Sequence, residues 1–271
     1  MSRPYAIIVG RNKTGTTSFI HALRLAYGCP ADGTQQWNYR DLVKLYKTGQ
    51  HDKLVSLAKR SKVIKDHPWN QGDIYKRLAE AYPDAIFCLT VRDPDSWYQS
   101  KLRFISQLYN PRDFPDPTSY MMKSMRHMWR EGVEDFRDAD SAKQAYINRN
   151  EEIQSYFEQK PSVKFFRVNV PEDMNWVTVQ RITQIDENVL KKNIMQWQSE
   201  VLLNSAYTFK VKGGSQLPGA GALQTLIKNR DDNISEWAFP CLNKQSRTGT
   251  NIFDYKNTGL IDVEARDDYI S

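Results

Sequence analysis

The chain has 271 residues, of which 40% are hydrophobic and 12% aromatic, with seven Trp and fourteen Tyr; disordered chains are poor in such groups, so a folded protein with a sizeable core is expected. Its 38 Lys and Arg against 32 Asp and Glu leave a net charge of +6, which favours an anionic partner without choosing among nucleotide, metabolite, nucleic acid and acidic membrane. No apolar run approaches the ~18 residues of a membrane span, Met1 to Tyr5 carry no export signal, and Cys29, Cys88 and Cys241 lack CxxC or Cys/His ligand spacing, so reduced thiols, a cytoplasmic setting and no bound metal are expected.

Taken in chain order, Tyr5-Ala-Ile-Ile-Val-Gly10 is a short apolar strand, and Phe19, Ile20, Leu23 and Tyr27 then recur at helical spacing. Polar helices are predicted at about 38–47 and 51–60, then the strand Lys62-Val-Ile-Lys65 and a helix with Ile74, Leu78 and Tyr82 on one face. Ala85 to Val91 is a near-continuous apolar strand, as expected when both sheet faces are covered. It ends at Arg92-Asp93-Pro94, where Asp93 can cap a helix and Pro94 suits its first position. A fourth strand is predicted at Val163 to Val168, after a helical insert whose Met121, Met122, Met125, Met128 and Trp129 read as core-packing residues.

Strands separated by helices predict an α/β protein with a central parallel sheet flanked by helices. No repeat or linker interrupts the chain, so one domain over 1–271 is expected, with the insert at about 101–160 and an irregular C-terminal segment at about 206–271.

The chemistry concentrates where strands end. Gly10-Arg-Asn-Lys13-Thr14-Gly15-Thr16-Thr17-Ser18 lies between a strand and a helix, where backbone N–H groups and the positive helix end bind phosphate. Glycines relieve the tight loop, the hydroxyls of Thr14, Thr16, Thr17 and Ser18 add donors, and Lys13 adds a mobile charge. The Gly10-x4-Gly15 spacing begins like a Walker A loop, but Thr16 stands where that motif has Lys, which disfavours an ordinary P-loop NTPase.

A second candidate follows the third strand at the same sheet edge: Arg92, whose fork suits phosphate oxygens, and Ser100, about two helical turns beyond Asp93. A third is Lys65-Asp66-His67-Pro68. Pro68 biases His67 toward extended backbone, so Lys65 and His67 are expected to share a side and Asp66 to point away. His21, His51 and His127 read as surface groups on helices.

Lys13-Thr-Gly-Thr-Thr-Ser18 resembles the 5′-phosphosulfate loop of sulfotransferases that use 3′-phosphoadenosine 5′-phosphosulfate (PAPS), although Ser18 stands where cytosolic members often have Trp. Arg92, followed eight residues later by Ser100, resembles that superfamily's 3′-phosphate motif. Ala81-Tyr-Pro-Asp-Ala through Trp97-Tyr-Gln-Ser100 is especially similar to a compact branch of the superfamily, and the likeness runs over roughly residues 5–180. The resemblance implies a three-layer P-loop-like fold and a donor site made of Lys13, Thr14, Gly15, Thr16, Thr17, Ser18, Arg92 and Ser100. It also implies release of 3′-phosphoadenosine 5′-phosphate (PAP), with Lys13 stabilising the transferring group. The base is His67 by analogy with the Ile-Lys-Thr-His of small-molecule sulfotransferases, or Asp66 by analogy with the Asp-x-Pro of the compact branch.

The expected reaction moves a sulfuryl group from PAPS to a hydroxyl or amine of a small molecule, without nucleic acid, membrane or metal. Two competitors stay open at this point: an ATP-dependent metabolite or nucleotide kinase, and a non-catalytic binder of nucleotide, RNA or glycan.

Overall fold

The computed structural model describes residues 3–29, 39–108, 138–203, 207–210, 216–218, 233–234 and 239–242. Four strands, β1 (Ala6–Ile8), β2 (Val63–Ile64), β3 (Ile86–Arg92) and β4 (Phe165–Val170), form one parallel sheet in the order β2-β1-β3-β4. Ala6 aligns with Val63 on one side and with Ile86 on the other, and the β3–β4 ladder runs to Arg92 opposite Val170. The chain therefore leaves β1 for one neighbour and later returns to its other side. In such sheets ligands bind beyond the carboxyl ends of the strands at this reversal.

Side chains alternate across a strand, and the core divides accordingly. Ala6, Ile8, Ile86 and Cys88 face α1 (Thr16–Ala26), α7 (Trp176–Thr183) and α8 (Glu187–Leu203), meeting Phe19, Leu23, Trp176 and Leu190. Ile7, Val9, Phe87 and Leu89 face the opposite layer, with α2 (Tyr39–Lys47), α3 (His51–Leu57), α4 (Ile74–Ala81) and α6 (Ala139–Glu158), where Leu42, Leu54, Leu78 and Phe157 lie. Each such large side chain contributes about 1.5–3 kcal/mol by leaving water. The expected three-layer α/β fold is what forms.

Helix starts follow local chemistry. Asp93 accepts a hydrogen bond from Ser96 N at 2.8 Å and opens α5 (Pro94–Leu108) as expected. Asp138 and Asn175 cap α6 and α7 through Ser141 N at 3.0 Å and Thr178 N at 2.9 Å. Among the described residues no helix is long and apolar enough to cross a membrane.

The C-terminal segment departs from the irregular expectation. Its β5 (Tyr207–Lys210), β6 (Gln216–Pro218) and β7 (Phe239–Leu242) make an antiparallel sheet in the order β6-β5-β7. Phe239 is buried and meets Trp176 edge-on at 5.2 Å, so β7 is anchored to the main core. Residues 109–137, including Met121 to Trp129, lie outside the described residues.

Candidate active site

The loop after β1 is built against β3. A Cβ on Gly10 would lie 2.3 Å from Thr90 Oγ1 and 2.5 Å from Thr90 O, so only hydrogen fits there. Thr14 Oγ1 donates to Arg11 O at 2.6 Å and pairs with Thr90 Oγ1 at 2.7 Å, while Asn70 Nδ2 donates to Gly10 O at 3.1 Å. These bonds hold a left-handed turn at Lys13 (φ 75°) and Gly15 (φ 74°), a conformation that costs a residue with a Cβ about 1–2 kcal/mol.

The turn ends at the start of α1, where Gly15 supplies no side-chain cap and the first turn carries no acid. A helix start without cap or acid presents free N–H groups and partial positive charge, which an external anion satisfies. The hydroxyls divide unequally. Thr14 is fully buried and its hydroxyl proton serves the loop, so it can offer an anion only its backbone N–H. Thr16 Oγ1 donates to Asp66 Oδ1 at 3.2 Å. Thr17 Oγ1 accepts from Lys65 Nζ at 3.3 Å, which leaves its proton available, and Ser18 is half-buried beside it.

At the end of β2 the expected alternation fails. Asp66 takes a left-handed conformation (φ 59°), which turns its carboxylate toward the loop after β1 instead of away from it. There it pairs with Lys65 Nζ and accepts from Thr16. Burial alone would raise the Asp66 carboxyl, but the Lys65 ammonium, with the Thr16 hydroxyl, holds it below its ordinary value. His67 is buried, and its Nε2 lies 3.1 Å from Asn12 Nδ2, the geometry of an amide donating to an unprotonated ring nitrogen.

His21 is also not a surface group. It is buried in α1, and burial, with Arg24 and Lys65 near, pushes its imidazole down to about 3. His51 starts α3 half-buried, its Nε2 3.2 Å from Tyr46 O, and His127 lies outside the described residues.

The third candidate stands at the end of β3. Arg92 is half-buried; its Nε is shielded from solvent and has no hydrogen-bond acceptor among the described residues. Ser100 lies half-buried on α5, two turns past the helix start. Sequence reading took Trp97 as a core-packing residue and missed Tyr146, which holds Arg92. Trp97 Nε1 donates to Asn12 O at 3.0 Å, and its ring stacks on Tyr146 with centroids 4.3 Å apart and planes 11° apart. The Tyr146 hydroxyl accepts from Arg92 N at 2.8 Å and donates to Arg92 O at 3.0 Å. Burial keeps that phenol above its ordinary value against hydrogen bonds to Arg92 and Asn150, so it stays protonated and able to donate. Trp97 had a signal in the Trp-Tyr pair before Ser100, whereas Tyr146, far along the chain, had none.

The β1, β2 and β3 exits thus bring Lys13, Asp66 and Arg92 to one sheet edge. No curated protein matches the chain. A family model described as a sulfotransferase domain matches residues 6–177, which takes in the whole parallel sheet and all three exits. The chain belongs to this sulfotransferase-domain family, whose members transfer sulfuryl groups.

Proposed function

We propose that this enzyme transfers the sulfuryl group of PAPS to a hydroxyl or amine of a small-molecule acceptor in the cytoplasm. The observation that carries the reading is the start of α1 beside Lys13, which has no side-chain cap and no acid in its own first turn, with an unsatisfied Arg92 Nε on the same sheet edge. That pair suits a nucleotide with anionic groups at both ends. The residues fit the donor as follows: the N–H groups of residues 14–18 with the Thr17 and Ser18 hydroxyls toward the 5′-phosphate, and Arg92 with Ser100 toward the 3′-phosphate.

PAPS supplies a sulfuryl group activated by its bond to phosphate. Lys13, at the turn before Gly15, offsets the charge that grows on the phosphate oxygen as the bond to sulfur breaks. Asp66 takes the proton of the attacking hydroxyl or amine. It is favoured over His67 because its carboxylate faces the loop and is ionised, while the His67 Nε2 lone pair is engaged by Asn12. His67 then serves to orient Asn12.

The test is transfer of ³⁵S from labelled PAPS to a panel of alcohols, phenols and amines, with release of PAP. Lys13→Ala should lower the rate about 10²- to 10³-fold with the fold intact, since the side chain is half-buried. Magnesium-dependent phosphoryl transfer from ATP with none from PAPS would make the enzyme a kinase and overturn the reading.

A further inference from the structure

Cys88 O accepts from Val9 N, so this face of the β3 backbone points to β1. In a strand every second residue presents its N–H and C=O to the same side, which places Thr90 and Arg92 toward β1 as well. But β1 ends at Ile8, and its continuation turns away into the loop. At Arg92 the Tyr146 hydroxyl occupies the place of the missing strand partner, accepting from N and donating to O of the same residue at 2.8 and 3.0 Å. The peptide planes on both sides of the Arg92 Cα are thereby fixed where the guanidinium leaves the sheet.

The same tyrosine ring lies flat on Trp97, whose indole N–H holds Asn12 O, next to Lys13. Trp97, Tyr146 and the partly buried residues packed on them form a small core separate from those of the two sheet faces. Two aromatic side chains therefore join the backbone of one anion-holding residue to the backbone beside the other. Neither carries charge and neither offers a further polar group to a ligand, so their effect runs through Arg92 and Lys13.

We propose that Trp97 and Tyr146 act as a clamp that sets the position of Arg92 relative to the Lys13 loop, and so the preference for an adenosine nucleotide phosphorylated at both its 3′ and 5′ ends. They are positioning residues. The proposal rests on the PAPS reading above and deepens it.

The experiment compares PAP with adenosine 5′-phosphate, which lacks only the 3′-phosphate, by calorimetric titration of the full chain. The wild type should bind PAP more tightly. Tyr146→Phe, which keeps the ring stack and removes the hydroxyl, should cut that preference about five- to tenfold while leaving adenosine 5′-phosphate within about twofold. Trp97→Phe, which keeps a ring and loses the N–H to Asn12 O, should weaken both ligands and also lower the preference for PAP, and an unchanged ratio would remove Trp97 from the clamp. If Tyr146→Phe keeps the wild-type ratio, the clamp is overturned and the PAPS reading stands; if the wild type itself has no preference for PAP, that reading falls with it. Should Tyr146→Phe fail to fold, hydrogen exchange of the ligand-free wild type decides: a slow Arg92 amide supports the clamp, and exchange as fast as that of an exposed amide overturns it.

Discussion

The loop at residues 10–18 and the corner at residues 65–71 meet at the Thr16–Asp66 hydrogen bond. They owe their shapes to different causes. The loop has glycines at two positions that favour them, one for close approach to Thr90 and one for a left-handed turn, with Lys13 left-handed between them, and a helix start follows at once. The corner puts a left-handed conformation on Asp66, a residue with a Cβ, and holds it with Lys65 and Thr16, while Asn70 reaches back to Gly10 O. A loop shaped by its own glycines can be written locally. The position of the Asp66 carboxylate against it depends on partners brought by the fold, so damage to the corner should fall on chemistry, and damage to the loop's glycines, as distinct from Lys13, on donor binding and stability.

The largest expected effect tests the corner. Asp66→Asn should lower the transfer rate about 10²- to 10⁴-fold and leave PAP affinity nearly unchanged. Because Lys65 holds the carboxyl below its ordinary value, the pH–rate profile should show no acidic limb near neutrality from this group. An acidic limb that disappears in His67→Gln would give the base role to His67 and break the comparison.

A smaller effect sharpens the loop side. Gly10→Ala would force a Cβ to within 2.3 Å of Thr90 Oγ1 and 2.5 Å of its carbonyl oxygen. Relief by backbone shift should cost about 1–3 kcal/mol, seen as a lower melting temperature together with weaker PAP binding. An unchanged melting temperature would mean that the loop does not rest on β3.

A pH-dependent effect concerns His21, buried in α1. Its folded value of about 3 lies under the unfolded 6.5, so in that window the unfolded chain binds a proton that the folded chain refuses. Its contribution to stability is complete above pH 6.5 and is lost as pH falls toward 3. Urea unfolding at a series of pH values should show the decline, and His21→Gln should flatten it.

The parallel sheet was legible because apolar runs such as Ala85 to Val91 have few other uses, and because Gly10, Lys13, Gly15 and the hydroxyl run sit within one short span. Asp66 was misplaced because alternation assumes extended backbone, whereas its φ is 59° and its carboxylate meets Thr16, fifty residues away in the chain. Thr14 looked like its neighbours in composition, yet its hydroxyl is consumed by Arg11 and Thr90. Tyr146 was silent, since its role exists only once β1 stops short beside Arg92. The strands of the C-terminal sheet were hidden by the glycines and prolines around them, and Phe239 gained its place from Trp176.

The central claim is that two anion-holding groups on one sheet edge clasp opposite ends of a doubly phosphorylated adenosine. Calorimetric titration of the wild type and of Arg92→Ala with PAP and with ADP tests it most directly. The account predicts one-site binding in which PAP is held more tightly than ADP and loses that advantage in Arg92→Ala. Equal binding of PAP and ADP by the wild type, or a PAP preference untouched by the substitution, would contradict it.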